Sequence, residues 1–205
     1  MDNLFYERQF IGRGKKLVAG VDEVGRGPLA GPVVCAAVIM PLNDIIEGVT
    51  DSKKLSEKKR EYLSDVIKEK AVAYKIFEID EKTIDEINIL NAVKKCMEGA
   101  VNNLSVKPDA VIVDGLNTGL KLVADEVEYV VKGDLKSYTV SCASIIAKVY
   151  RDNLMKEYAK KYSGYGFEKH KGYGTKEHIE KIMEIGPCSI HRRTFIKNFW
   201  EERAK

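Results

Sequence analysis

The apolar positions of the chain fall into blocks that predict five strands before residue 133, with helices between and after them. Continuous apolar runs at residues 17–23 and 32–40 predict buried strands, because a strand covered on both faces loses the alternation of a half-exposed one. The Gly- and Pro-rich connection between these two runs favours a tight antiparallel return. A third strand is predicted at residues 71–79, where apolar and polar side chains mix.

Helical spacing of apolar residues predicts the elements that separate and follow these strands. In order, they are a helix at 57–70 capped by Asp51 or Ser56, a helix at 83–103, strands at 110–114 and 127–132, a serine-capped helix at 141–161, and a helix between Thr175 and Gly186. Together they predict an α/β fold, with a mixed five-stranded sheet flanked by helices and a small C-terminal helical extension. A loop at 163–174 marks the boundary between residues 1–162 and residues 163–205.

Length and composition narrow the class of protein. A chain of 205 residues suits one domain with an appended subdomain. The longest apolar stretch is too short to cross a bilayer, and the N-terminus lacks a secretory apolar region, so we expect a cytoplasmic protein without membrane contact. The 4 cysteines are scattered and form no Cys-x-x-Cys pair, which argues against a zinc site or a disulfide framework.

Charge is informative through its distribution, since the net charge is only +3. Basic residues form two clusters, and either cluster taken alone is compatible with a solvated helix face. The clusters are Lys53, Lys54, Lys58, Lys59 and Arg60, and then Lys169, Lys171, Lys176, Arg192, Arg193 and Lys197. A contact with nucleic-acid phosphates is the functional alternative.

Two predicted strands end in acidic side chains. Asp22 and Glu23 close the first, and Asp114 closes the strand at 110–114. If these strands are parallel neighbours, the three carboxylates crowd one edge of the sheet, where ligands of open α/β sheets gather. Crowded carboxylates repel one another unless a cation such as Mg²⁺ or Mn²⁺ lies among them. The alternative is that Asp22 merely ends the strand while Glu23 is solvated.

Successive side chains of a strand point to opposite faces, so Asp22 and Glu23 cannot reach one cation from an ideal strand. Gly25 and Gly27 permit a sharp turn that would bring Glu23 round. Asp152 is a further anomaly, because it shares the core-facing stripe of its helix with Val149. A buried acid needs a partner or a metal, and Lys148 at i−4 offers the structural alternative.

Two glycine-rich loops frame these acids. Residues 25–31 match neither a dinucleotide nor a mononucleotide phosphate loop, but their backbone can approach a sugar closely and Arg26 can bind a phosphate. Residues 169–175 place Tyr173 between two glycines on a basic loop, where it either stacks on a sugar or base or packs on the core. The 3 histidines show no metal-ligand spacing.

Taken together, the chain resembles ribonuclease HII, the type 2 ribonuclease H family. The likeness is carried by Gly20–Val34, Asp51–Ser56, Val113–Gly115, Ala143–Asp152 and Lys171–Thr175, which occur in the family's order. It implies a ribonuclease H-like fold in which residues 1–162 form the catalytic core and residues 163–205 a helical substrate-binding subdomain.

The resemblance also implies site residues, a cofactor and a substrate. Asp22, Glu23, Asp114 and Asp152 would be the catalytic, metal-binding acids, holding Mn²⁺ or Mg²⁺, two ions with substrate bound. The residues implied to contact the substrate are Gly25, Arg26, Gly27 and Tyr173 at the ribose 2′-hydroxyl, and Lys53 with the C-terminal basic residues at phosphates. The expected enzyme is a monomer that cleaves RNA in RNA–DNA hybrids and nicks DNA duplexes at embedded ribonucleotides, leaving 5′-phosphate and 3′-hydroxyl ends.

Two rival functions remain open at this stage. A DEDD-type 3′–5′ exonuclease also uses four acids on a related fold, but it digests DNA ends without needing a ribose. A catalytically inert module of the same fold would bind hybrid duplexes and stay inactive with Mg²⁺ or Mn²⁺.

Overall fold

The computed structural model describes residues 3–200, which form one five-stranded sheet covered by helices on both faces. The elements are α1 (Phe5–Gly12), β1 (Val18–Val24), β2 (Val33–Ile39), a 3₁₀ turn (Ser52–Lys54), α2 (Glu57–Lys70), β3 (Ala73–Ile79), α3 (Glu81–Asn102), β4 (Ala110–Asp114), β5 (Glu126–Val130), α4 (Gly133–Lys136), α5 (Tyr138–Lys161), α6 (Phe167–His170), α7 (Lys176–Ile185) and α8 (Arg193–Trp200).

The strands lie in the order β3-β2-β1-β4-β5. β2 runs antiparallel to both β1 and β3, while β1, β4 and β5 are parallel, so the predicted mixed sheet is confirmed. Val21 of β1 pairs with Val113 of β4. The acids that follow these two residues therefore leave neighbouring strands at the same edge, as the sequence predicts.

Each face of the sheet packs against its own hydrophobic cluster. α3 covers one face with Cys96, Met97 and Ala100, and α2 and α5 cover the other with Leu63 and Ile146 among others. The N-terminal part of α5 crosses β1 very closely, because a Cβ atom on Gly20 would lie 2.2 Å from the carbonyl carbon of Thr139. This contact fixes the start of α5 beside the acidic end of β1.

Most predicted elements agree with the structure to within a few residues. The bounds of α2 and β4 are those predicted, and Ser56 is the residue whose side chain caps α2. Asp51 instead caps the 3₁₀ turn, through the backbone N–H of Lys53. The prediction was wrong at the start of α5, which begins three residues earlier and is capped by Ser137.

The predicted helix at 83–103 is interrupted. Asn88 has φ of 64° inside α3, and its side-chain oxygen accepts hydrogen bonds from the N–H groups of Leu90 and Asn91. Asn88 thus acts as a second N-cap, a role that asparagine readily takes because its side chain competes for backbone donors. The apolar stripe continues across the break, which is why periodicity alone does not detect it.

The C-terminal elements pack on α5 and on the loop between β1 and β2 rather than standing apart. A third hydrophobic cluster joins Phe167, Ile182 and Ile196 to Ala30, in the loop after β1, and to Met155 of α5. The helices α1, α4, α6 and α8 were not predicted, since four to eight residues give little periodic signal. The division of the chain after residue 162 stays a prediction.

Candidate metal centre and its framing loops

The carboxylates at the ends of β1 and β4 converge. One side-chain oxygen from each of Asp22, Glu23 and Asp114 lies within 4.8 Å of the other two. Asp22 and Glu23 both lie within β1 and pair with β2, so the turn expected at the following glycines does not bring them together. The open end of the sheet and the longer side chain of Glu23 allow the three oxygens to meet.

Burial and mutual repulsion make this cluster costly when all three groups are ionised. Burial raises the pKa of Asp22 well above its usual value, and the charges of Glu23 and Asp114 raise it further. Burial, and then the charge of Asp114, also raises the pKa of Glu23. The donor set is made of hard oxygen atoms with excess negative charge, which fits a divalent cation such as Mg²⁺ or Mn²⁺.

A cavity of about 310 Å³ opens over this cluster. It is lined by Asp22, Glu23, Val24, Ser52, Lys53, Asp114, Asp134, Ser144, Lys148 and Tyr173. A second cavity of about 410 Å³ shares Glu23 and Asp114 with the first and is also lined by Arg26. The acids therefore lie between two adjoining concave surfaces, as expected of a site that contacts an extended substrate.

Asp134 is an acid of this cavity that the sequence reasoning missed. It is buried at the start of α4, and its carboxylate lies 3.5 Å from the ammonium group of Lys53. The preceding Gly133 donates its N–H to Asp114 at 2.5 Å, so the α4 turn and the end of β4 are joined directly. The sequence contained a signal for this residue, because Asp134 follows closely after β5, a third strand of the parallel part of the sheet.

Asp152 lies outside the cluster of three acids. Its Oδ1 accepts a hydrogen bond from Lys148 at 2.7 Å, and its Oδ2 lies 3.9 Å from the guanidinium of Arg60. The i−4 lysine thus neutralises Asp152, which is the structural alternative that the sequence left open. The assignment of Asp152 as a metal ligand stays a prediction.

The two glycine-rich loops meet at the rim of the cavity. Leu29 donates its N–H to the carbonyl of Gly172, and a Cβ atom on Gly27 would lie 3.8 Å from the ring of Tyr173. Gly25 has φ of 92°, and a side chain there would collide with Arg151 at 2.3 Å. The side chain of Arg26 remains 55% exposed near Glu23, and that of Lys53 is 78% exposed.

Two buried arginines hold the loop that contains Gly25 and Gly27. Arg192 donates to the carbonyls of Gly25, Arg26 and Gly31 at 2.6–3.0 Å. Arg151 donates to those of Ala30 and Pro32 in the same loop, and to that of Lys171 in the Tyr173 loop. Among the C-terminal basic residues expected to contact phosphates, Arg192 was wrongly included, because its guanidinium is buried on these carbonyls.

Within residues 3–200, no helix combines the length and the apolar character needed to cross a bilayer. Comparisons with known proteins show which proteins the chain is similar to. The family model described as Ribonuclease HII matches residues 19–202. A ribonuclease HII of Acetivibrio thermocellus is 55% identical over 199 residues, which cover 97% of this chain and 77% of that protein.

Solved structures show the same similarity in three dimensions. The crystal structure of ribonuclease H2 from Pyrococcus horikoshii is 32% identical with a TM-score of 0.77, covering 92% of this chain and 99% of that one. The RNase HII of Archaeoglobus fulgidus, solved as a complex with PCNA, is 28% identical with a TM-score of 0.72, covering 92% and 97%. The likeness thus spans both the sheet and the C-terminal helices.

Proposed function

The chain belongs to the ribonuclease HII family and is a metal-dependent endoribonuclease, and from this premise we propose which of its residues perform the reaction. Asp22, Glu23 and Asp114 hold divalent cations, Mg²⁺ or Mn²⁺, with two ions bound when substrate is present. The observation that carries this assignment is the convergence of the three carboxylates within 4.8 Å at the ends of neighbouring parallel strands.

Bound divalent cations would supply an activated water nucleophile and stabilise the charge that develops on the departing 3′-oxygen. Hydrolysis of this kind leaves a 5′-phosphate and a 3′-hydroxyl. The residues of the chain contribute by fixing the ligand oxygens before substrate arrives: Glu23 donates its N–H to Asp22 Oδ1 at 2.7 Å, and Gly133 holds Asp114. Neither acid can then rotate freely away from the cluster.

A fourth acid completes the site in this proposal, and the contacts favour Asp134 over Asp152. Asp134 lines the same cavity as the cluster and its charge raises the pKa of Asp114, after the larger effect of burial. Asp152 is paired with Lys148 instead. Lys53, which faces Asp134 with an exposed ammonium group, is then placed to contact a substrate phosphate.

Recognition of RNA is assigned to the rim of the cavity. Because the reaction does not use the 2′-hydroxyl as its nucleophile, that group is free to identify the ribonucleotide. We assign the stacking contact with the sugar to Tyr173 and the hydrogen bonds with its hydroxyl to the backbone of Gly25, Arg26 and Gly27. The close approach of Gly27 to the Tyr173 ring supports this pairing of loops.

The corresponding substrates are RNA–DNA hybrids and DNA duplexes that contain a ribonucleotide. The proposal includes a monomer acting in the cytoplasm. The phosphate contacts predict that binding weakens as the salt concentration rises.

The test is one end-labelled DNA duplex with a single ribonucleotide, incubated with Mg²⁺, Mn²⁺ or EDTA. The proposed enzyme cleaves one phosphodiester bond next to the ribonucleotide, and it does so only when a cation is present. It leaves an all-DNA duplex intact. A ladder from the 3′ end of all-DNA substrate would identify an exonuclease. Binding without cleavage under every condition would identify an inert module.

Tyr173→Ala tests the recognition part of the proposal separately. Loss of the stacking contact should lower cleavage of the single-ribonucleotide duplex about tenfold more than cleavage of a uniform RNA–DNA hybrid, since one such stack contributes about 1–3 kcal/mol. Equal losses on both substrates would assign the recognition to another residue.

A further inference from the structure

All 3 histidines of the chain lie together, in or next to the loop that carries Tyr173, and none has a role in the proposed reaction. The rings of His170 and His178 are stacked with their centroids 4.3 Å apart. His178 and His191 meet through their Nε2 atoms at 3.1 Å. Both are buried, with exposed fractions of 0% and 2%.

The hydrogen bonds fix the tautomers of the two buried rings. The backbone N–H of Cys188 donates to His191 Nδ1 at 3.0 Å, a shorter contact than the 3.3 Å between that nitrogen and the Cys188 carbonyl oxygen, so in the neutral ring the proton of His191 is on Nε2. That proton points at His178 Nε2, which must accept it. His178 therefore carries its own proton on Nδ1, which donates to the carbonyl oxygen of Tyr173 at 2.9 Å.

The result is a directed relay from Cys188 through His191 and His178 to Tyr173. Burial lowers the pKa of His178 and of His191 to about 4, so both rings are neutral around pH 7 and one proton lies in each link. A second proton on His178 would place its Nε2–H against the Nε2–H of His191. A second proton on His191 would place its Nδ1–H against the backbone N–H of Cys188.

A second anchor acts one residue earlier. Gly172 donates its N–H to His170 Nδ1 at 3.2 Å, while His170 Nε2 faces the carbonyl of Tyr165 at 2.7 Å. Lys171 and Gly172 both have left-handed backbone conformations, with φ of 53° and 85°. A non-glycine residue adopts that conformation only where surrounding contacts impose it, so the loop needs these anchors to keep its shape.

The side chain of Tyr173 is 41% exposed, so the direction of its ring depends chiefly on its backbone. We propose that His178 is a positioning residue, kept protonated at Nδ1 by its contact with His191, and that it holds Tyr173 over the carboxylate cavity and so sets the preference for a single embedded ribonucleotide. The inference rests on the proposed role of Tyr173 as the contact with the ribose.

A matched pair of variants at one position separates the two links of the relay. His178→Asn places an amide near the position of Nδ1, so it can still donate to the Tyr173 carbonyl while losing His191. His178→Gln places its amide near the position of Nε2, so it can still accept from His191 while losing Tyr173. Each variant removes one hydrogen bond from the same buried site.

The readout is the ratio of kcat/KM on a single-ribonucleotide duplex to kcat/KM on a uniform RNA–DNA hybrid. A loss of folded protein lowers both rates equally and leaves this ratio unchanged. We expect His178→Gln to lower the ratio roughly tenfold, the effect of one hydrogen bond of about 1.4 kcal/mol, and His178→Asn to keep most of it. In EDTA, His178→Gln should likewise weaken binding of the single-ribonucleotide duplex more than His178→Asn does.

Ile182→Ala is the control for destabilisation, since Ile182 is buried on the same helix as His178, α7, but takes no part in the relay. It should lower the melting temperature and leave the ratio unchanged. Equal ratios for the Asn and Gln variants would overturn the relay, provided that Tyr173→Ala changes the ratio. An unchanged ratio in Tyr173→Ala would instead overturn the proposed function of Tyr173 and, with it, this inference.

A structural readout is independent of cleavage. In the intact protein, ¹H–¹⁵N spectra of the imidazole groups at pH 7 should show His178 protonated at Nδ1 and His191 protonated at Nε2. The Nδ1 proton of His178 should exchange slowly with water. His178 protonated at Nε2 instead would contradict the direction of the relay and overturn the proposal.

Discussion

The carboxylate cluster and the loops that frame it are held by opposite kinds of interaction. Asp22, Glu23 and Asp114 repel one another, and burial makes their ionised forms more costly still. The framing loops are held instead by buried donors, above all Arg151 and Arg192, on backbone carbonyls. Under the proposed function a cation would complete the first region, while the second is already organised before any ligand binds.

Because of this difference, substitutions in the carboxylate cluster should change stability and activity in opposite directions. Substitutions in the framing loops should lower both together. A substitution in the cluster removes repulsion and a metal ligand at once. A substitution in the loop scaffold removes a hydrogen bond that both the fold and the site require. Four predictions test this contrast, in order of decreasing size.

Asp22→Asn should have the largest effect on catalysis and the opposite effect on stability. Loss of a cation ligand should lower cleavage at least about a thousandfold, which corresponds to about 4 kcal/mol. In EDTA, the variant should be more stable than the parent by on the order of 1 kcal/mol, because a buried, repelled carboxylate becomes neutral. Single-turnover cleavage and urea unfolding measure the two quantities.

Asp44→Asn is a suitable control for that substitution, since Asp44 pairs with Lys70 at the surface, away from the cavity. It should change neither quantity appreciably. A stabilised Asp22→Asn enzyme that still turned over at the parental rate would remove Asp22 from the metal site.

Arg192→Ala should lower stability and activity together. It leaves the carbonyls of Gly25, Arg26 and Gly31 without a buried donor, and we expect a loss of about 3 kcal/mol in the free energy of unfolding. Arg193→Ala is the matched control, because Arg193 is the exposed neighbour. Equal urea midpoints for the two variants would show that the loop does not depend on Arg192.

Asp134→Asn and Asp152→Asn separate the two candidates for the fourth acid. We expect about a hundredfold loss of kcat for Asp134→Asn, since Asp134 faces the same cavity as the cluster. For Asp152→Asn we expect a loss of about threefold or less, because it removes only the partner of Lys148 and Arg60. The reverse order would restore Asp152 to the metal site predicted from the sequence.

Stabilisation by a divalent cation should depend on pH. The cluster acids have raised pKa values in the metal-free folded state, so their ionisation costs stability as the pH rises through those values. A cation competes with protons for the same oxygens and offsets this cost at higher pH. The increase in melting temperature with Mn²⁺ should therefore be larger at pH 8 than at pH 5.

At about a hundred times the dissociation constant of the cation, the increase at pH 8 should reach about 5–10 °C. Asp114→Asn should reduce this increase and weaken its dependence on pH. An equal increase at both pH values, in the parent and the variant alike, would place the bound cation elsewhere.

The sheet was largely predictable because its strands are strongly patterned. The buried runs of β1, β2 and β4 and the acids that end two of them are properties of local sequence. The parallel pairing of β1 with β4 was a condition of the prediction, and the structure supplies it. The break in α3 was not predictable from periodicity, since Asn88 satisfies the backbone locally while the apolar stripe continues. The short helices contain too few residues to show a hydrophobic periodicity.

The convergence of acids in the candidate site was predicted only where an acid ends a strongly patterned strand. Asp22, Glu23 and Asp114 satisfy that condition. Asp134 lies in a four-residue helix, and Arg192 looked like a member of a surface cluster until its burial was known. Contacts between residues 161 or more positions apart, such as Arg192 with Gly31, cannot be recognised from the local pattern of apolar and polar residues.

The central claim is most directly tested by locating Mn²⁺ in crystals of the unmodified protein through its anomalous scattering. The account predicts a peak within coordination distance of carboxylate oxygens from Asp22, Glu23 and Asp114, and no such peak in crystals of Asp114→Asn. A fully occupied peak at another group of residues in an active crystal form, with none at these three acids, would contradict it.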